Sequence, residues 1–278
     1  MRMALCNEMF TDRPLEQIAV LAAELGYEGL ELAPFTLDPS GVGALGPAEL
    51  RAARRAVERA GLEVVGLHWL LVGPPGLELV STARDVRERT SAYLVRLAEI
   101  CAELGGRVLV LGSPRQRNLA PGLDRAAGLA LAASTLQAAV RRAEDLGVRW
   151  SLEPLPAEET NFLNTLRECL DLDAALGAGR ALGVQLDVKS LCAEATDPTQ
   201  PAEVVRRHAA HAARFAHVHA NDRNRGGPGS GDVVLAPLVA ELRRLGYAGW
   251  VSVEVFDLSL GPEAIAGASL AALRAAGA

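Results

Sequence analysis

Asp145-Leu146-Gly147-Val148-Arg149-Trp150-Ser151-Leu152-Glu153 is the stretch on which the fold turns. An amphipathic helical pattern ends at Leu146, and Gly147 stands where a left-handed C-terminal cap is wanted. A short apolar run follows and stops at a carboxylate. The same helix-to-strand join recurs at Glu24-Leu25-Gly26-Tyr27, Glu103-Leu104-Gly105-Gly106 and Arg244-Leu245-Gly246-Tyr247.

Outward from this unit, the pattern predicts strands over residues 3–7, 27–32, 63–68, 107–112, 148–153, 182–187, 214–219 and 250–255. Helices are predicted between and after them, over 14–25, 47–60, 82–104, 123–146, 165–176, 201–212, 235–245 and 262–275. Strict β-then-α alternation implies a parallel sheet of the α/β class, and a count of eight implies closure into a (β/α)8 TIM barrel. A barrel of this kind takes about 250 residues, so the 278 residues read as one domain spanning 1–278. A doubly wound sheet would carry a glycine-rich phosphate loop after its first strand; Cys6-Asn7-Glu8-Met9-Phe10 offers none.

Half of the residues are apolar, enough for a large core, and the formal charge is −6. An acidic balance speaks against a nucleic-acid partner, which needs a basic surface. Charged residues interrupt every apolar stretch well before the ~20 residues of a membrane span. Residues 1–10 lack the apolar core and small-residue cleavage site of a signal peptide. The expectation is a cytoplasmic protein acting on a small molecule, with no membrane or nucleic-acid partner. Apolar helix faces point to a homo-oligomer. Cys6, Cys101, Cys169 and Cys192 show no paired spacing and read as buried, reduced thiols. Lys189 is the only lysine, every other cation being Arg.

The polar residues are positional. The C-terminal ends of barrel strands form the mouth where active sites lie, and here the strands end in Asn7, Glu31, His68, Glu153, Asp187, His219 and Glu254. Burying several carboxylates together is costly without a cation. Glu153, Asp187, His219 and Glu254 come from strands five to eight, which neighbour one another in a barrel. Three carboxylates and one imidazole suit one divalent ion, Mn²⁺ first, with Mg²⁺, Co²⁺ or Zn²⁺ as alternatives. Salt bridges to arginines at the mouth are the purely structural alternative.

With these residues in place, the chain resembles the xylose-isomerase-like superfamily of sugar phosphate isomerases and epimerases, in particular its ketose 3-epimerases. The likeness runs over the whole chain. It implies that Glu153, Asp187, His219 and Glu254 hold the metal. It further implies substrate contacts from a Glu six residues after the first metal Glu and an Arg six residues after the metal His, where Glu159 and Arg225 stand. The segment Gly227-Pro228-Gly229-Ser230-Gly231-Asp232 resembles the loop these proteins carry before the last helix and strand. One position departs: the epimerases have a substrate-contacting His three residues after the metal Asp, and this chain has Ser190. Lys189 lies at i+2 from Asp187 and would share its inward face if the strand continued. It is therefore a candidate for contacts with a substrate oxygen or acid group.

The resemblance implies proton transfer beside a carbonyl, giving an isomerase or epimerase. A metal bridging a ketose carbonyl and its neighbouring hydroxyl would act as Lewis acid and stabilise an enediolate. Glu153 and Glu254 would serve as ligands and as acid and base, with Asp187 and His219 as ligands only. His68 and Glu31 are candidates for hydroxyl recognition, each with a barrel-mouth hydrogen bond as its alternative role. His217 lies one layer deeper and reads as structural. Arg115, Arg117, Arg223, Arg225 and Lys189 follow the strands, and cations at the mouth of an acidic protein suggest a phosphate or carboxylate on the sugar or sugar-acid substrate. Arg117 is carried as a substrate-binding candidate on that ground. Three other readings compete. A dehydratase or lyase acting on a polyol or keto acid could use the same metal and acid/base pair. A barrel that kept the metal only as a structural cation would be a non-catalytic sugar- or partner-binding protein. An endonuclease IV-like repair enzyme needs further histidines, which Ser190 and Val234 do not supply.

Overall fold

The computed structural model describes residues 1–278. Eight strands, all parallel, close in sequence order: β1 Arg2–Cys6, β2 Gly29–Leu32, β3 Glu63–Leu67, β4 Val108–Leu111, β5 Arg149–Leu152, β6 Leu182–Asp187, β7 Phe215–Ala220 and β8 Trp250–Val253. β8 pairs back onto β1 through Arg2–Trp250 and Leu5–Val253, so no strand edge is left open. The expected (β/α)8 barrel is present with all eight strands where periodicity put them. Several stop a residue or two early, because the polar residue at the predicted end turns out of the ladder into the mouth.

The outer layer carries α1 Leu15–Leu25, α3 Pro47–Arg59, α4 Arg84–Glu103, α5 Arg125–Leu146, α6 Leu166–Leu176, α8 Ala202–Arg207, α9 Leu235–Arg244 and α10 Pro262–Ala275. Gly26, Gly147 and Gly177 end α1, α5 and α6 with positive φ, as the left-handed cap requires. Two short helices lie at the mouth, α2 Pro34–Leu37 and α7 Val188–Glu194. The second decides a condition left open at Lys189: β6 ends at Asp187, where the pattern put it. Its side chain accepts a hydrogen bond from the Ser190 N–H at 2.8 Å and caps the first turn of α7. The predicted helix over 201–212 is shorter than expected, ending at Arg207 before a 3-10 segment, Ala209–Arg214.

The core is one cluster that fills the barrel and the strand–helix interface. Trp150 is fully buried and donates its indole N–H to the Ala139 carbonyl at 3.2 Å, tying β5 to α5. No helix is long and apolar enough to cross a membrane, and the four cysteines are buried and unpaired, as expected.

Candidate active site

Neighbouring strands are in register at the mouth. Asp187 pairs with His219 across β6 and β7, and Glu153 and Glu254 follow the last ladder residues of β5 and β8. The result is one buried group: Glu153, Asp187, His219 and Glu254 each offer a ligand atom, and these atoms lie within 4.8 Å of one another. The four residues the sequence singled out as a set therefore meet.

Their supports are specific. His219 turns Nδ1 toward Glu254 Oε2 at 3.2 Å, while Nε2 meets Glu31 Oε1 at 3.0 Å. Asp187 Oδ2 accepts from the Asn221 amide at 2.7 Å, and the Asn221 oxygen accepts from the Lys189 N–H at 2.8 Å. Arg117 donates to the Glu153 carbonyl at 2.6 Å. Gly112, just past β4, leaves the space the Glu153 carboxylate occupies: a Cβ there would lie 2.0 Å from Glu153 Oε2.

Charge follows from this packing. Burial, and then the carboxylates of Glu254 and Asp187, push Glu153 up to about 8. Burial works the same way on Glu254, but His219, together with His68 and Lys189, outweighs it and holds that carboxyl below its usual range. Burial lowers His219, yet Glu31 and Glu254 more than offset it and hold the ring well above the ordinary histidine range. Such a set favours added positive charge. Three carboxylate donors, an imidazole and a second carboxylate behind that imidazole are the donor chemistry and outer support of a divalent-cation site. The residues present fit such an ion.

The pocket above the cluster is bordered by His68, Trp69, Gly112, Ser113, Glu153, Leu155, Glu159, Lys189, Glu254 and Phe256, among others. Glu159 and Lys189 meet here as an ion pair. Lys189 is only 9% exposed, and its ammonium lies 5.0 Å from the Phe256 ring. It reaches the pocket from the first turn of α7 and not from a continuation of β6. Arg225 is exposed on the rim with its guanidinium 5.3 Å from the same ring. His68 borders the pocket and bonds Glu8 through Nε2 at 2.7 Å.

The other candidates are placed as follows, with Glu31 in the hydrogen-bonding role that was its alternative. Glu31 is not among the residues bordering the pocket. It is fully buried, with its oxygens taken by His217 at 2.7 Å and His219 at 3.0 Å, so it supports the site from beneath. Arg117 is 1% exposed and turned behind Glu153, because its short 3-10 segment, Pro114–Arg117, folds the side chain inward. Arg115 is exposed and Arg223 pairs with Asp232 at 2.6 Å. Asn7 is consumed by the Ala33 N–H and the Thr36 hydroxyl, each at 2.8 Å. Sequence reasoning placed His217 one layer deeper but missed the three residues that share its layer. Ser151, Gln185, His217 and Ser252 stand two residues before Glu153, Asp187, His219 and Glu254, and all are fully buried. Ser151 bonds Gln185 at 2.8 Å and His217 meets Ser252 at 3.1 Å. The signal was the period-two alternation in Ser-Leu-Glu, Gln-Leu-Asp, His-Val-His and Ser-Val-Glu.

A family model for the xylose isomerase-like TIM barrel matches residues 19–276. The chain belongs to that family. Within it, a Streptomyces coelicolor protein whose name proposes a hydroxypyruvate isomerase is 28% identical over 256 residues, covering 88% of this chain and 87% of that one. A ketose 3-epimerase of Arthrobacter globiformis is 33% identical over 194 residues, 65% of this chain and 63% of that protein. The D-psicose 3-epimerase of Clostridium cellulolyticum H10, solved with D-tagatose, superposes with a TM-score of 0.83 at 19% identity over 99% of both chains. At that identity the superposition speaks for the shared fold. The relatives agree in making this xylose isomerase-like barrel an enzyme of the isomerase and epimerase type.

Proposed function

We propose that this barrel is a divalent-metal-dependent ketose epimerase or isomerase that moves a proton beside a carbonyl. The observation that carries the reading is the convergence of Glu153, Asp187, His219 and Glu254 beneath a pocket also bordered by Lys189 and Glu159. Those four residues would hold one ion, Mn²⁺ in the first instance, with Mg²⁺, Co²⁺ and Zn²⁺ as alternatives. Bound there, it would polarise the substrate carbonyl as a Lewis acid and make the neighbouring proton acidic.

The rest is done by the chain. Glu153 and Glu254 both border the pocket and supply the carboxylates that take a proton from carbon and return one. Asp187 and His219 act as ligands only, oriented by Asn221 and Glu31. Lys189, Glu159 and Arg225 bind substrate hydroxyls, with Lys189 serving where the epimerases use the histidine that Ser190 replaces. His68, braced by Glu8, lies on the same wall.

Local charge favours an uncharged sugar over a phosphate or keto acid. Arg117 is behind Glu153, Arg223 is held by Asp232, and Lys189 is matched by Glu159. Of the cations the sequence offered for an anionic substrate, the exposed Arg115 and Arg225 are left without a carboxylate partner, and Arg225 lies against Phe256 on the rim.

The test is proton exchange. The protein is stripped of metal, reloaded with each of the four ions and incubated in D₂O with ketopentoses and ketohexoses. We expect solvent deuterium in a sugar product of otherwise unchanged formula, with the Glu153→Gln and Glu254→Gln variants at least about a thousandfold slower. A product lighter by one water would replace the reading with a dehydratase. No exchange with any ion would sink it.

A further inference from the structure

Trp69 directly follows His68 at the end of β3, and three features of it are unusual together. Its backbone φ is +54°, in the left-handed region that L residues with bulky side chains rarely adopt. Its indole N–H is buried and has no acceptor in the protein. Its ring stands edge-on to Phe35 at 6.4 Å and to Phe256 at 6.3 Å, forming an aromatic wall beside Glu254 and Lys189.

Packing alone does not account for this. The left-handed turn sends Leu70 and Leu71 into the core while leaving the Trp69 ring on the pocket. Gly or Asn would make that turn with less strain, and Phe would fill the wall without burying an unpaired donor. A buried donor left unmade costs about 1–3 kcal/mol, and strained residues that persist cluster where ligands bind.

We infer that Trp69 is a specificity-determining residue: its indole N–H donates to a sugar hydroxyl away from the reacting carbon, and its ring supports the C–H face of the same sugar. The inference rests on the ketose reading above, and names the wall on which that sugar lies. Aromatic rings with a polar tip suit a ligand that is apolar on one face and hydroxylated at its edges.

Tryptophan emission tests it directly. The chain has three tryptophans. Trp150 is sealed in the core with its N–H bonded, and Trp250 lies under Arg2, 3.8 Å from the guanidinium carbon, at the opposite end of the barrel. D-Fructose, D-psicose and D-tagatose are titrated into the Mn²⁺-loaded protein, the Trp69→Phe variant and the Trp150→Phe variant. The expected result is a saturable emission change in the wild type and in Trp150→Phe, and none in Trp69→Phe. Trp69→Phe should also raise KM about tenfold with a smaller change in kcat and keep its melting temperature. An emission change that survives Trp69→Phe, or an unchanged KM, overturns the inference while leaving the epimerase reading intact. Ketoses that neither bind to nor react with the wild type remove that reading, and the inference with it.

Discussion

The two halves of the barrel mouth are built alike and equipped differently. β5 to β8 end in the four groups that converge, and each of those groups has a polar residue two positions below it. β1 to β4 end in Asn7, Glu31, His68 and Gly112, and none of these joins the four. Yet the second half shapes the first. Glu31 crosses the barrel to accept from His219 and His217, and Gly112 vacates the space that the Glu153 carboxylate fills. A barrel places its reactive groups on a few adjacent strands and uses the remaining ones to orient them, because a ligand side chain is only as precise as what surrounds it.

The sharpest way to break this division is Gly112→Ala. The clash falls on the flexible end of Glu153 and not on backbone, so the fold should persist while the carboxylate is pushed aside. We expect kcat/KM to fall about a hundredfold with a melting temperature close to wild type. Unchanged activity would show that Glu153 works from another position. Glu31→Gln comes next. It keeps the shape but removes the charge behind His219, and should weaken metal affinity about 10- to 100-fold, measured by competition with a chelator. Metal affinity at the wild-type level would mean that the β1 to β4 half is only filler.

The third test sharpens the electrostatic side and reads stability instead of activity or affinity. Glu153 is raised to about 8 in the folded protein, through burial and then Glu254 and Asp187. A carboxyl raised on folding adds stability below its unfolded value, near 4.5, and that stability is lost as pH rises toward 8. Chelator-treated protein should therefore lose on the order of a few kcal/mol across that window, and added Mn²⁺ should restore more at pH 8 than at pH 5. Melting curves of Glu153→Gln should lose the part of this trend below about pH 6, and keep the part above it that the raised His219 contributes. A pH-independent gain from metal would show that the three carboxylates do not compete for one charge.

Much of this was legible in the chain. The eight strands and the convergent set Glu153, Asp187, His219 and Glu254 followed from periodicity and from polar residues at strand ends. The layer of Ser151, Gln185, His217 and Ser252 was legible too and was overlooked, except for His217. The element that carries Lys189 was not legible: the Asp187 cap starts a helix at Val188, where the sequence left continuation of the strand open.

The sequence by itself determined the alternation of elements, the order of the strands and which of them end in carboxylate and imidazole groups. These are local properties, set by hydrophobic period, capping glycines and side-chain type within a few residues. Only the tertiary structure decided what each polar residue faces. The Glu31–His217 bond joins positions 186 residues apart in sequence, and Arg117 became a prop for Glu153 when its short turn folded inward. Spacing along the chain does not encode such pairings. They exist because closing the barrel leaves each buried polar group to find a partner among whatever the other strands bring to its layer.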